Sequence, residues 1–377
     1  MNTRVLLSAV LACAASLAAP PKPIVPAGVK PVGPYTPGLD TGEFVYVSGQ
    51  GARDAKGVLP SGADAQVRQC LENVKAVLTA GGLTMDHVVY AHVYLTDLNQ
   101  MDTMNKVWVE YFPKNRPARS TIGVLRMPTE TPVEITAVAV RDLKTRKAIV
   151  QSGSEPLSTA VLVGNRVFLS SSIGRESPTG VSARGPAAQV QMLMTEAEKV
   201  LKQAGLELRH LVHANIYVTR RMPMPVLAKA LDDYVPDEAA TTIVQTASLP
   251  GGVDLQFTGI ASRDLKRYGN CTGTGNTIYC SGRAGTIRQA LASVKADLEA
   301  NKLGMNAVVA TNVYIDDLDE FAAMNKVYAT FFGPVPPTRT TVQPSAKSAE
   351  LSLPPATGAA APDDTPRALV SVVAVRP

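Results

Sequence analysis

Three stretches of this chain repeat one another, and that repetition constrains its fold more than any other feature. Val93-Tyr94-Leu95, Ile216-Tyr217-Val218 and Val313-Tyr314-Ile315 each close an apolar run. The runs that lead into them are His87-Val88-Val89-Tyr90-Ala91-His92, His210-Leu211-Val212-His213-Ala214-Asn215 and Ala307-Val308-Val309-Ala310-Thr311-Asn312. Alternating apolar positions over this length predict a half-buried strand in each. Downstream, Met104-Asn105-Lys106-Val107 recurs as Met324-Asn325-Lys326-Val327, and each stretch runs on to an aromatic pair, Tyr111-Phe112 or Phe331-Phe332. Upstream, Phe44-Val45-Tyr46-Val47-Ser48-Gly49 recurs as Thr277-Ile278-Tyr279-Cys280-Ser281-Gly282 and, less closely, as Arg166-Val167-Phe168-Leu169-Ser170-Ser171. A spacing of roughly a hundred residues means duplicated domains, not a solenoid.

Each copy reads hairpin, helix, strand, helix, strand, strand. The first helix is amphipathic throughout: Val190, Leu193, Met194, Ala197, Val200 and Leu201 share one face in the second copy, and Ile287, Leu291, Val294 and Leu298 in the third. Two helices cover one face of a mixed sheet and leave the other apolar face in need of a partner. Three linked copies supply that partner to one another. The expected architecture is therefore α+β, with three tandem domains over 24–143, 151–264 and 265–377 arranged as a single-chain pseudo-trimer, a monomer in solution. The third copy departs from the pattern in having little chain before its first helix and a Pro-, Ala-, Ser- and Thr-rich stretch from Pro344 to Pro366.

The 377 residues, 45% hydrophobic and 18% charged, are those of an ordinary globular protein. A net charge of +5 permits anionic ligands, but Lys and Arg form no run or stripe that nucleic acid would require. Residues 1–19 have the charge, short apolar core and small-residue exit of a secretory signal, which predicts export to the periplasm or medium. Val10-Leu11-Ala12-Cys13 also permits lipoprotein processing at Cys13. No segment is apolar and long enough to span a bilayer.

Cys271 and Cys280 flank a segment in which a two-residue turn at Gly275-Asn276 sets them directly opposite on a hairpin, at a non-hydrogen-bonded pair where a disulfide fits. Cys70 shares a helical stripe with Val67, Leu71, Val74, Val77 and Leu78 and reads as a buried, inert thiol. The histidines His87, His92, His210 and His213 have no metal-ligand spacing, so neither a metal nor any other cofactor is expected.

Gly33-Pro34-Tyr35-Thr36, Val47-Ser48-Gly49-Gln50, Thr96-Asp97-Leu98 leading to Asn105, and Arg116-Pro117-Ala118-Arg119-Ser120 together resemble the RidA (YjgF) family, also called endoribonuclease L-PSP-like. The resemblance covers nearly all of the mature chain, taken three times. It implies a chorismate-mutase-like fold, ligand clefts between subunits, and hydrolysis of reactive enamines and imines derived from amino acids. It further implies an arginine that grips the substrate carboxylate. Arg119 and Arg339 match that position, whereas the second copy reads Glu238-Ala239-Ala240-Thr241 and has no arginine. Other substrate-binding candidates are Tyr35 and Tyr268, which align with Leu157, Asn105 and Asn325, which align with Ala228, and Ser48 and Ser281. The second copy is accordingly expected to be structural.

The family's last strand carries a glutamate that positions or activates the hydrolytic water. In Val133-Glu134-Ile135-Thr136-Ala137-Val138 that position reads as Thr136, with Thr258 and Ser371 as its equivalents, and Glu134 on the same strand face is the candidate substitute. A hydroxyl orients water but is a poor base near neutral pH. The function expected is deamination of small 2-imino or enamino acids to 2-keto acids and ammonia. The alternative, favoured by those three hydroxyls, is a non-catalytic module for small carboxylates or a structural pseudoenzyme. RNA cleavage, a label the family has carried, lacks a basic stripe and an aromatic platform here. Each candidate also has a bland role: ion pairing for the arginines, hairpin packing for the tyrosines, capping for the asparagines and turn formation for the serines.

Overall fold

The computed structural model describes residues 20–151, 156–173, 183, 185–237, 239–346 and 365–376. The leader at 1–19, with Cys13, and most of the stretch from Pro344 to Pro366 lie outside the described residues.

Three mixed sheets form, each with two α-helices: α1 (Ala63–Ala80) and α2 (Met101–Tyr111), α3 (Pro186–Gln203) and α4 (Met224–Leu231), and α5 (Ile287–Ala300) and α6 (Phe321–Ala329). In the first sheet the strands run in the spatial order Lys22–Ile24, Gly38–Asp40, Phe44–Gly51, Val133–Val140, Val88–Leu95, Ala118–Gly123. Only the last two pair in parallel, as a strand–helix–strand crossover through α2 requires, and the other neighbours are antiparallel. The other two sheets repeat this plan, with Ala240–Gln245 and Thr338–Val342 as the matching edge strands. The second unit begins earlier than 151, because Arg146–Ile149 pairs with Ala160–Val163 and joins the second sheet.

Helical periodicity explains the outer layer. Val67, Cys70, Leu71, Val74, Val77 and Leu78 of α1 are all buried, and with Met104, Val107 and Trp108 of α2 they pack on Val133, Ile135, Ala137 and Ala139 of the strand beneath. The alternate residues of those strands point the other way and meet the other copies. Phe44 and Tyr46 of the first copy pack with Val161 and Phe168 of the second and Val309 and Val375 of the third. Tyr94, Tyr217 and Tyr314, equivalent residues of the three repeats, lie in a second shared cluster. The sheet faces left uncovered by helices are thus buried against one another.

The hairpin from Cys271 to Cys280 turns at Gly275-Asn276, pairs the two cysteines in register with Cα atoms 4.0 Å apart, and carries the disulfide. With a sequence separation of nine, loop-closure entropy puts its contribution at about 2.5 kcal/mol. Reduction should lower the free energy of unfolding in urea by about that much, and superimposable curves for oxidised and reduced protein would show that the bridge adds nothing. Cys70 is fully buried, its thiol donating to the Val133 carbonyl, and burial pushes its pKa well up.

Candidate functional site

The edge strand of each copy lies against the neighbouring copy through one repeated contact. The Arg339 amide donates to Ser48 Oγ at 3.0 Å, the Arg119 amide to Ser170 Oγ at 2.8 Å, and the Thr241 amide to Ser281 Oγ at 3.0 Å. Ser48 in turn donates to the Thr36 carbonyl and Ser170 to the Ser158 carbonyl, while the Thr36 and Ser158 amides donate across to Pro337 and Pro117. The edge strand of copy three therefore meets copy one, that of copy one meets copy two, and that of copy two meets copy three. Each candidate cleft draws on two copies.

At the junction of copies three and one, Thr338–Val342 supplies Arg339, whose guanidinium lies 4.8 Å from the Tyr328 ring and 5.5 Å from Phe321, both on α6, and, across the junction, 5.4 Å from Tyr35. Asn325 stands beside it, and a Cβ added to Gly33 would come within 2.7 Å of the Arg339 guanidinium and 3.2 Å of the Asn325 amide. Gly33 is needed there because the backbone of copy one runs directly over both side chains. Arg339 is 4% exposed, and its Nη1 has no hydrogen-bond partner among the described residues, nor does Asn325 Oδ1.

Glu134 reaches this junction from the last strand of copy one. It is buried, and a Cβ at Gly49 would fall 1.9 Å from its Oε1, so glycine leaves the room its carboxyl occupies. Burial pushes its pKa up to about 8, against the opposing pull of Arg339. Burial likewise lowers the pKa of Arg339, with Tyr328, Tyr35 and Glu134 opposing that shift. For both groups burial outweighs the attraction between them. The folded chain binds the Glu134 proton more tightly than the unfolded chain does, so stability should fall as pH rises from about 4.5 to about 8 and then level off. Glu134→Gln should flatten that slope in thermal melts, and parallel profiles for variant and wild type would contradict the shift.

The last-strand carboxyl beside this junction is that of Glu134. Thr136 donates to the Val47 carbonyl and Thr258 to the Leu169 carbonyl, and both line a central cavity of about 100 Å³ together with His92, His213, Asn215 and Asn312. Ser371 is buried opposite Asn312 in the third sheet. Thr136 and Thr258 lie on the inner strand face toward this cavity, which Ser48 and Arg339 also border, and Glu134, the candidate substitute, is the carboxyl that reaches the junction.

The other two junctions are poorer. At that of copies one and two, Arg119 is 3% exposed, lies 4.9 Å over Trp108, and donates from Nη2 to Asn105 Oδ1 at 2.8 Å and from Nη1 to Met104 Sδ at 3.4 Å. Its strand register places Gln256, paired with Tyr217, where Glu134 pairs with Tyr94, and Leu157 stands where Tyr35 does. At the junction of copies two and three, Thr241 replaces the arginine, and Leu369, paired with Tyr314, replaces the acid. Tyr268 does not join that junction: it packs against its own copy's core, under the Arg376 guanidinium at 4.9 Å. The tight turn Gly269-Asn270 directs it there. Ser281 keeps its backbone-anchoring bond. Phe321, Tyr328 and Gln256 were not singled out from the sequence. The signal available was the alignment of Trp108, Leu231 and Tyr328, each three residues after Asn105, Ala228 or Asn325. Among the described residues no three His, Cys, Asp or Glu side chains gather as metal ligands would.

What the fold and junctions define is a three-copy α+β protein with a buried arginine at two of the junctions between copies. The family model for Endoribonuclease L-PSP matches at residues 26–141, 147–263 and 260–350, and the chain belongs to that family, three times over. Its relatives include the 2-iminobutanoate/2-iminopropanoate deaminase of Salmonella typhimurium, 41% identical over 114 residues, which are 29% of this chain and 89% of that protein. The putative reactive intermediate deaminase TdcF of Escherichia coli is 39% identical over 114 residues, 29% of this chain and 88% of that protein. The crystal structure of E. coli TdcF with bound serine, 37% identical, matches 32% of this chain and 100% of its own with a TM-score of 0.31.

Proposed function

We propose that the chain hydrolyses small 2-imino and enamino acids to 2-keto acids and ammonia, and that the junction of copies three and one carries the reaction. The observation that supports this best is Arg339, a buried guanidinium with no carboxylate partner among the described residues, set near a Glu134 carboxyl that burial keeps protonated to about pH 8. The names of the deaminase relatives point to the same substrate class.

In the reaction, Arg339 holds the substrate carboxylate through two parallel N–H bonds, each worth about 1.5–3 kcal/mol. Tyr35, Tyr328 and Phe321 wall the guanidinium from bulk water and strengthen that grip. Water adds to the C=N carbon while Glu134 gives its proton to the nitrogen, and the carboxylate so formed takes a proton from the added water. Collapse of the carbinolamine repeats the exchange: Glu134 protonates the leaving nitrogen and recovers the hydroxyl proton as the keto acid forms. Glu134 ends as it began, and one water is consumed for each ammonia released. A carboxyl poised near the operating pH suits both roles.

The three copies, each meeting the other two, act in this reading as a covalent pseudo-trimer that is monomeric in solution. Export completes it, and the disulfide accords with an oxidising compartment. The test is ammonia release from 2-iminobutyrate generated enzymatically from the amino acid. Release that accelerates in proportion to added protein is expected, and release at the spontaneous rate would overturn the proposal.

A further inference from the structure

Between the two apolar clusters that the copies share, one reached by Tyr90 and the other by Tyr94, the inner sheet faces carry a polar layer. His92, Asn215 and Asn312 are equivalent residues of the three repeats, and they stand opposite Thr136, Thr258 and Ser371 in the strand registers. Packing three sheets together calls for apolar side chains at such positions, since a polar group taken from water costs free energy unless it finds a partner. His92, Asn215 and Asn312 instead line the central cavity of about 100 Å³, and His213 joins them.

The two imidazoles are held by rings. His92 stacks on Tyr94 at 4.3 Å and meets Tyr217 edge-on at 5.2 Å, and His213 stacks on Tyr279 at 5.4 Å. Each is 6% exposed, and the Nε2 of each has no hydrogen-bond partner among the described residues. Burial lowers the pKa of His92 to about 3 and that of His213 to about 4, so both are uncharged near neutral pH. The Asn215 amide donates to His213 Nδ1 at 3.5 Å, which leaves the ring proton on Nε2 as a donor. Of the lining residues only Arg339 is a charged one. It borders the cavity from a strand on which Thr338 and Thr340 face inward, while its own guanidinium lies against the rings of α6. Val47, Ala137, Val138, Phe168 and Ile260 complete the wall with apolar surface.

We infer that this central cavity is a binding site for a small uncharged molecule with a carbonyl and an N–H at one end and a methyl-sized apolar group at the other, the chemistry of a short primary amide. The carbonyl accepts from His213 Nε2, the N–H donates to the side-chain oxygen of Asn215 or Asn312, and the methyl end rests on the apolar wall. The size agrees, because a volume of about 100 Å³ is that of about three waters in the liquid. A carboxylate does not fit: it would lose its hydration among neutral imidazoles with no cation turned toward it. The site is therefore distinct from the cleft of Arg339 and Glu134, and it stands whether or not that cleft is hydrolytic.

The sequence has four histidines, which makes them the natural probe. His87 and His210 lie outside the cavity lining, in turns where their Nδ1 atoms accept from the Thr84 and Glu207 amides. Histidine NMR signals of the mature chain, followed during titration with acetamide and in parallel with acetate, test the site. Acetamide at millimolar concentration should shift His92 and His213 saturably and leave His87 and His210 in place. Acetate, its charged isostere, should leave His92 and His213 where they are. Asn312→Leu fills the cavity and removes a polar partner, so it should abolish the acetamide shift; should that variant fail to fold, the wild-type comparison decides alone. No response of His92 and His213 to acetamide would overturn the inference, as would equal shifts with acetate, parallel shifts of all four histidines, or a folded Asn312→Leu protein that keeps the shift.

Discussion

Replacing Arg339 with Ala should lower kcat/KM for 2-iminobutyrate roughly 10²- to 10⁴-fold, the loss expected when two charge-assisted bonds of about 1.5–3 kcal/mol each disappear. The effect is large because the guanidinium is 4% exposed and ringed by Tyr35, Phe321 and Tyr328, so no water replaces it in front of the carboxylate. The fold should survive, since the strand is held by its backbone bond to Ser48 and the lost side chain was a buried cation whose Nη1 has no hydrogen-bond partner among the described residues. Thermal melts provide the control. A protein that melts normally and retains wild-type kcat/KM would show that the substrate carboxylate is held elsewhere.

Glu134→Gln should cost about 10²- to 10⁴-fold in kcat, the usual contribution of a positioned acid–base group, while binding of 2-ketobutyrate persists, because the amide keeps the size of the carboxyl and removes no carboxylate contact. The pH profile separates this role from a structural one. In the free enzyme the carboxyl, raised to about 8 by burial, must be protonated to serve as the acid, so kcat/KM should fall above about pH 8. A bound substrate carboxylate adds negative charge nearby and raises the value further, so the limb in kcat should lie at higher pH than the limb in kcat/KM. The variant should lack that limb. Equal losses in turnover and in binding, with the limb unmoved, would make Glu134 a packing residue.

Much of the fold was legible because period and repeat are local signals. The apolar stripe of α1, the strand around Tyr94 and the hairpin joining Cys271 to Cys280 all follow from residues a few places apart. The arginine-bearing edge strands were legible by the same comparison of repeats. The pairing of copies was not, since one copy's exposed sheet face does not state which neighbour covers it. That information lies in contacts such as Arg339 with Ser48, separated by 291 residues. Glu134 and Thr136 were hard to tell apart for a related reason. Residues two apart on a strand share a face, and only the lateral position along it decides between the junction and the central cavity. Tyr268 misled because its alignment with Tyr35 is sound in sequence, but a tight turn replaces the loop that carries Tyr35 and directs the ring toward its own core.

The reaction is assigned to one junction built from two copies, and a crystal structure of the mature chain with 2-ketobutyrate tests that assignment most directly. The ligand carboxylate should lie on Arg339, between Tyr35 and the Glu134 carboxyl. A ligand bound by active protein at neither Arg339 nor Glu134 would contradict it.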